Sequence, residues 1–267
     1  MRSTVVSRCI VTAAALALTG CEEPLPAPSL VVACDPTGPS PGDVCNRPLL
    51  ARVAKRWAAE AVATPGASLR ALLVGKDYSS TQVGTTLSVP LAFEQDPLLA
   101  LPAWQASVVE TFAAMPVVHE EPATRRVMRS DLVSLVALAS VDARPAPGAV
   151  TLLLASDGRL VSAGLNAEER VPASGTVLAR VAKGGVAIDL SVFSSVVICG
   201  VHHVGLSAGE HAALQGLWRE LITAWGGPAP TIVSSCDGVE SLLFTAPSPA
   251  PSSRAPAESG AVQESGQ

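Results

Sequence analysis

Residues 30–40 read LVVACDPTGPS. Leu30 to Cys34 is an uninterrupted apolar, β-branched run of strand length. Asp35 follows at once, and Pro36, Gly38, Pro39, Pro41 and Gly42 supply a turn. Beyond it, Pro48–Ala63 carries Leu49, Leu50, Val53, Trp57 and Ala61 at helical spacing, with Arg52, Lys55, Arg56 and Glu60 elsewhere. A buried strand that ends in a carboxylate and a hydroxyl and then turns into a helix is how an open α/β sheet builds a crevice at the carboxyl ends of its strands. The stretch therefore predicts the first strand of such a sheet, with Asp35 and Thr37 at the mouth of a site.

Upstream, Arg2 and Arg8 precede a short apolar segment, Cys9 to Leu18. That segment is too short to span a bilayer comfortably and reads as a signal peptide. It ends in Leu18-Thr19-Gly20-Cys21, which resembles the bacterial lipobox. The resemblance implies cleavage before Cys21 and lipid attachment to the Cys21 sulfur and the new N-terminus. Glu22 does not match the aspartate that resembles an inner-membrane retention signal, so the outer membrane is favoured. The expected organisation is a signal peptide over 1–20, a Pro-rich tether over 21–29, one domain over 30–244, and a disordered Pro/Ser/Ala-rich tail over 245–267.

Downstream, Leu69–Val74 is expected as the second strand and Thr85–Phe93 as the third, an antiparallel edge because Pro90 lies inside it. Helices are expected over Trp104–Ala114, from Ser130 or Asp131 to Ala139, over Ser174–Ala182, and over Ala208–Trp225. Further strands are expected at Ala149–Ala155, Ser195–Val201 and Thr231–Cys236. The resulting order, β-α-β-β-α-α-β-α-β-α-β, predicts an α/β, doubly wound (Rossmann-like), mostly parallel sheet with one antiparallel edge strand.

The formal net charge is −5, and loss of Arg2 and Arg8 with the signal peptide takes it to −7. No basic cluster is interleaved with aromatics, which sets nucleic-acid binding aside. Of six cysteines, Cys34, Cys45, Cys199 and Cys236 remain after Cys9 and Cys21 are assigned to export and lipidation. An even number in an exported chain points to disulfides. Three connectivities exist; Cys34–Cys45 across the first turn and Cys199–Cys236 across neighbouring strand ends are favoured. A four-cysteine zinc site lacks any C-x-x-C spacing.

The element order resembles a von Willebrand factor type A domain, which has the same hairpin after its second strand. Metal-binding members of that family carry D-x-S-x-S after the first strand, a Thr opening a later helix, and an Asp after the fourth strand. Here Asp35-Pro36-Thr37-Gly38-Pro39, Ser130-Asp131-Leu132 and Ser156-Asp157-Gly158 stand at those places. Pro39 offers no hydroxyl; Ser40, one position on, is the substitute. The resemblance implies a metal-ion-dependent adhesion site for Mg2+ or Mn2+, with Asp35, Thr37, Ser130 and Asp157 as ligands and Ser40 and Asp131 as further candidates. Hydroxyl and carboxylate oxygens suit such hard cations. The implied function is a membrane-tethered, non-enzymatic module that binds a protein or peptide ligand.

Other chemistry is weighed against this reading. Gly205-Leu206-Ser207-Ala208-Gly209 spells a nucleophile-elbow pattern and supports an alternative, an exported hydrolase using Ser207. Such an enzyme needs an acid and then a His downstream, but the last histidine, His211, falls inside the following helix, and Ser207 with Glu210 reads better as a capping box. His202, His203 and His211 lack a carboxylate or Cys at a recognised metal spacing. Glu120-Glu121 reads as a solvated loop charge and Asp237-Gly238 as a turn. Trp57, Trp104, Trp218 and Trp225 fall at helical core positions. A scaffold with a decayed metal site is the remaining alternative.

Overall fold

The computed structural model describes residues 29–35, 44–62, 64, 66–73, 82–90, 97–114, 131–144, 149–162, 165–166, 171–202 and 206–244. The signal peptide, Cys21, the tether before Ser29 and the tail from Thr245 lie outside the described residues, as do Thr37, Ser40, Ser130, Glu120, Glu121 and His203.

The elements are β1 (Ser29–Cys34), α1 (Arg47–Ala61), β2 (Ser68–Leu73), β3 (Gln82–Ser88), α2 (Pro97–Ala113), α3 (Leu132–Ala143), β4 (Val150–Ala155), β5 (Val161–Ser162), β6 (Leu165–Asn166), α4 (Ser174–Lys183), β7 (Ser195–Cys199), α5 (Ala208–Ala224) and β8 (Thr231–Val233). The main sheet has the order β3-β2-β1-β4-β7-β8. All pairs are parallel except β2–β3. This is the doubly wound α/β architecture with an antiparallel edge that the sequence predicted.

The central strands are buried along their whole length because both faces are covered. The side-chain period of two divides them cleanly. Leu30, Val32, Cys34, Leu153, Ala155, Val197 and Cys199 pack with Leu49, Leu50, Val53 and Trp57 of α1. Val31, Ala33, Leu152, Leu154, Val196 and Ile198 pack on the opposite face with α3 and α5, including Leu135, Val136 and Trp218. Each fully buried aliphatic side chain contributes about 1.5–3 kcal/mol, so the run that nominates β1 also anchors both cores. Trp57 and Trp218 are fully buried, and Trp104 sets its ring 5.9 Å from that of Trp57.

Helix α1 opens at Asn46, whose Oδ1 accepts from the Leu49 N–H at 2.8 Å, with a proline in the first turn. Several boundaries differ from expectation. The third strand ends at Ser88, before Pro90, because proline has no N–H for the ladder; beyond it the Val89 N–H donates to the Ala67 carbonyl at 2.9 Å and the Gly66 N–H to the Val89 carbonyl at 3.3 Å. Helix α2 begins at Pro97 and carries Pro102 within it, so it starts earlier than the expected Trp104. Helix α3 runs on to Ala143. Strand β8 stops at Val233, releasing Cys236 to turn back toward β7. The small β5–β6 hairpin and a 3-10 turn at Val239–Ser241 carry no periodic signal and were not expected.

Both expected disulfides are present. Cys34–Cys45 has a Cα–Cα distance of 5.7 Å and Cys199–Cys236 one of 4.9 Å, both in the range a bridge requires. Disulfides persist in oxidising compartments, and these two point to an exported protein. Among the described residues no helix is long and apolar enough to cross a membrane.

Candidate crevice at the carboxyl edge of the sheet

Strand β1 lies between β2 and β4. The chain leaves it in one direction for β2 and β3, then crosses back to β4, β7 and β8 on the other side. The β1–β4 boundary is therefore the topological switch point, where open α/β sheets have their crevice. Cys34, Ala155 and Cys199 form one row across β1, β4 and β7. One residue further on stand Asp35, Ser156 and Gly200. The ladder continues through them: Asp35 N–H donates to the Ala155 carbonyl at 2.9 Å, Ser156 N–H to that of Cys199 at 3.0 Å, and Gly200 N–H to that of Val233 at 3.1 Å. Asp35 and Asp157 thus flank the switch point, one from each strand.

The disulfides brace this row from below. Cys34–Cys45 ties the end of β1 to the start of α1, and Cys199–Cys236 ties the end of β7 to the segment after β8. Arg52 of α1 reaches the same segment, donating to the Cys236 carbonyl at 3.3 Å and lying 3.4 Å from Glu240. Gly200 has φ +89°, and a Cβ there would stand 2.5 Å from Val44 Cγ1. Only glycine lets Val44, just before α1, close over the end of β7.

Asp35, Ser156 and Asp157 are buried, at 2 %, 0 % and 6 % exposure. Ser156 Oγ donates to Asp35 Oδ2 at 2.9 Å and accepts from the Gly158 N–H at 3.0 Å. A single hydroxyl thereby joins the carboxylate of β1 to the turn after β4. Asp157 Oδ1 accepts from the Arg159 N–H at 3.0 Å. Burial pushes the Asp157 carboxyl above the usual carboxylate range; the Arg159 N–H and its positive charge oppose this in part. The turn is fixed from behind by α5. Trp218 Nε1 donates to the Gly158 carbonyl at 2.8 Å, and a Cβ on Gly158 (φ +80°) would meet Trp218 Nε1 at 3.0 Å and Val201 Cγ1 at 3.2 Å.

The sequence-expected ligands divide into three groups. Asp35 and Asp157 are both buried at the carboxyl ends of the strands on either side of the switch point. Thr37, Ser40 and Ser130 lie outside the described residues. Asp131 is the N-cap of α3: its Oδ1 accepts from the Ser134 N–H at 3.1 Å and its Oδ2 from Ser134 Oγ at 2.9 Å. Ser156 is the residue that sequence reading passed over, although it stands beside Asp157 in the quoted motif. Among the described residues no three His, Cys, Asp or Glu side chains gather into a metal cluster. The side chains at this edge, the Asp35 and Asp157 carboxylates and the Ser156 hydroxyl, offer oxygen, which suits a hard cation rather than a soft one.

Two other motifs resolve locally. Ser207 caps α5 in a full capping box: its Oγ donates to Glu210 Oε2 at 2.6 Å and accepts from the Glu210 N–H at 3.3 Å. The hydrogen bonds from Ser207 hold the Glu210 carboxyl below its usual range. His202 and His211 stack, with ring centroids 4.7 Å apart, a contact their spacing does not announce.

These features define a class: a doubly wound α/β protein with buried oxygen donors at its switch-point crevice. No protein-family model matches the chain, and no curated protein is similar to it.

Proposed function

We propose that the protein is an exported, lipid-anchored, non-enzymatic binding module of the von Willebrand factor A type, whose crevice receives Mg2+ or Mn2+ and, through it, an acidic group of a protein or peptide partner. One observation carries this reading. Asp35, directly after β1, and Asp157, two residues beyond β4, are buried beside the switch point, and the Ser156 hydroxyl joins the Asp35 carboxylate to the turn that carries Asp157. A buried carboxylate whose proton affinity is raised by desolvation gains more from a nearby cation than an exposed one does. The strand order and antiparallel β3 support the type A resemblance. The lipobox-like run ending in Cys21 and the two disulfides support an envelope location, with the outer membrane favoured.

Asp35 and Asp157 would hold the cation, with Thr37, Ser40 and Ser130 as the hydroxyl donors the family pattern supplies. When bound, the cation offers a coordination position to a partner carboxylate. Thermal unfolding of the full chain in EDTA, Mg2+ and Mn2+ tests the reading, because a ligand that binds only the folded state raises the midpoint with concentration. A metal-dependent rise, lost in Asp35→Ala and Asp157→Ala, is expected. No shift at millimolar metal would leave a scaffold with a decayed site.

A further inference from the structure

We propose that the crevice is the membrane-distal pole of the anchored protein, presented to a carboxylate-bearing protein segment in the aqueous compartment and held away from the lipid headgroups. The inference rests on the lipid-anchored reading above and adds an orientation that the tether enforces.

Both ends of the described domain leave from one edge of the sheet. Ser29 begins β1 and pairs in register with Val150, the first residue of β4, and its N–H donates to the Ala149 carbonyl at 3.0 Å. At the other end of the chain, the Leu243 carbonyl accepts from Thr151 Oγ1 at 3.4 Å, one residue along the same strand. The amino edge of the sheet thus carries the connection to Cys21 and the connection to the tail. Asp35, Ser156 and Asp157 sit at the opposite edge. At the strand rise, Asp35 lies about 20 Å from Ser29.

The reach of the tether decides the orientation. From Cys21 to Ser29 the chain spans at most about 28 Å even when fully drawn out. β1 is an interior strand, flanked on one face by α1 and on the other by α3. To lay the crevice on the bilayer, the tether would have to climb about 20 Å along the domain and clear half the sheet and a helix about 10–12 Å across, a path near 35 Å. The tether is too short for that path. The crevice therefore cannot be laid on the headgroups, and a partner reaches it from the aqueous side.

The test uses the full lipidated chain in phospholipid vesicles. A fluorophore is placed through an encoded azide at Ala208 or at Ala224, leaving the disulfides untouched. Both positions are exposed and lie at opposite ends of α5, about 24 Å apart. Energy transfer to an acceptor-bearing lipid is expected to be several-fold faster from Ala224 than from Ala208. A flexible insert of about 20 Gly/Ser residues between Pro28 and Ser29 is expected to collapse that difference, since it lengthens the reach severalfold. Equal transfer from the two positions with the native tether, or faster transfer from Ala208, would overturn the orientation. Flotation with vesicles is measured first, beside Cys21→Ser. A wild-type chain that does not float, or a variant that floats equally well, overturns the anchoring itself, a failure distinct from an inverted orientation.

Discussion

Removing the Ser156 hydroxyl separates the carboxylate of β1 from the turn after β4, and its cost follows from two bonds. Ser156 Oγ donates to Asp35 Oδ2 at 2.9 Å and accepts from the Gly158 N–H at 3.0 Å, at a position with no exposure. A hydrogen bond to a charged group contributes about 1.5–3 kcal/mol, and a buried donor left without its acceptor costs about 1–3 kcal/mol. Alanine removes one heavy atom and opens no cavity large enough for a water, so the two costs stand largely unrelieved. Ser156→Ala is therefore expected to lose about 3 kcal/mol. With the slope of a domain this size, the urea midpoint moves down by about 1 M. The assay is equilibrium urea unfolding at pH 7 with disulfides intact, run as a double-mutant cycle with Asp35→Ala. A coupling of about 1.5–3 kcal/mol between the two sites is expected from the bond they share. A loss under about 0.5 kcal/mol with no coupling would refute the view that Ser156 joins the two strands.

Three further outcomes follow from neighbouring residues. Gly158→Ala is expected to destabilise by about 2–4 kcal/mol, combining left-handed backbone strain with overpacking against Trp218 and Val201. Gly238→Ala, at φ +71° with nothing within 4 Å, isolates the strain alone, and equal urea midpoints for the two variants would contradict the packing argument. Replacing both cysteines of a bridge by serine is expected to cost about 4 kcal/mol for Cys199–Cys236 and about 3 kcal/mol for Cys34–Cys45. The longer of the two closed loops, with separations of 37 and 11, loses more, and thermal midpoints in the reverse order would refute this. Asp157→Asn is expected to raise stability at neutral pH. The folded carboxyl binds its proton more tightly than the unfolded one, so wild-type stability falls as pH rises through the interval between the two values. The variant's advantage therefore shrinks on acidification, and a pH-independent difference would remove desolvation as its cause.

The fold was legible because its central strands are buried on both faces. Such strands read as unbroken apolar runs, as at Leu30–Cys34 and Val150–Ala155, whatever their neighbours are. Edges were less legible. Pro90 marked β3 as an edge but, having no N–H, ended the strand at Ser88, before the expected stop at Phe93. Pro102 hid the first turns of α2, because a proline in a sequence reads as a break while a surface helix can carry one. β5 and β6 are two residues each, too short for any period to register.

At the site, both carboxylates could be placed at strand ends from the sequence, since Asp35 follows an apolar run directly and Asp157 follows one after Ser156. Ser156 was not singled out, because only the register of β1 against β4 shows that its hydroxyl faces Asp35. The role of Trp218 was invisible for the same reason: it lies 60 residues from Gly158, whose carbonyl it holds. The disulfide partners were readable as choices among three; Cys34 closes with the turn beyond its own strand, whereas Cys199 closes with the segment after the neighbouring β8.

The acids at the switch point are proposed to receive a hard divalent cation. The most direct measurement is Mn2+ binding to the full chain, read from the loss of the free-ion electron paramagnetic resonance signal. One saturable site, displaced by Mg2+ and absent from Asp35→Ala and Asp157→Ala variants that remain folded, is the expected result. Absence of binding at millimolar Mn2+, or binding that both variants retain, would contradict it.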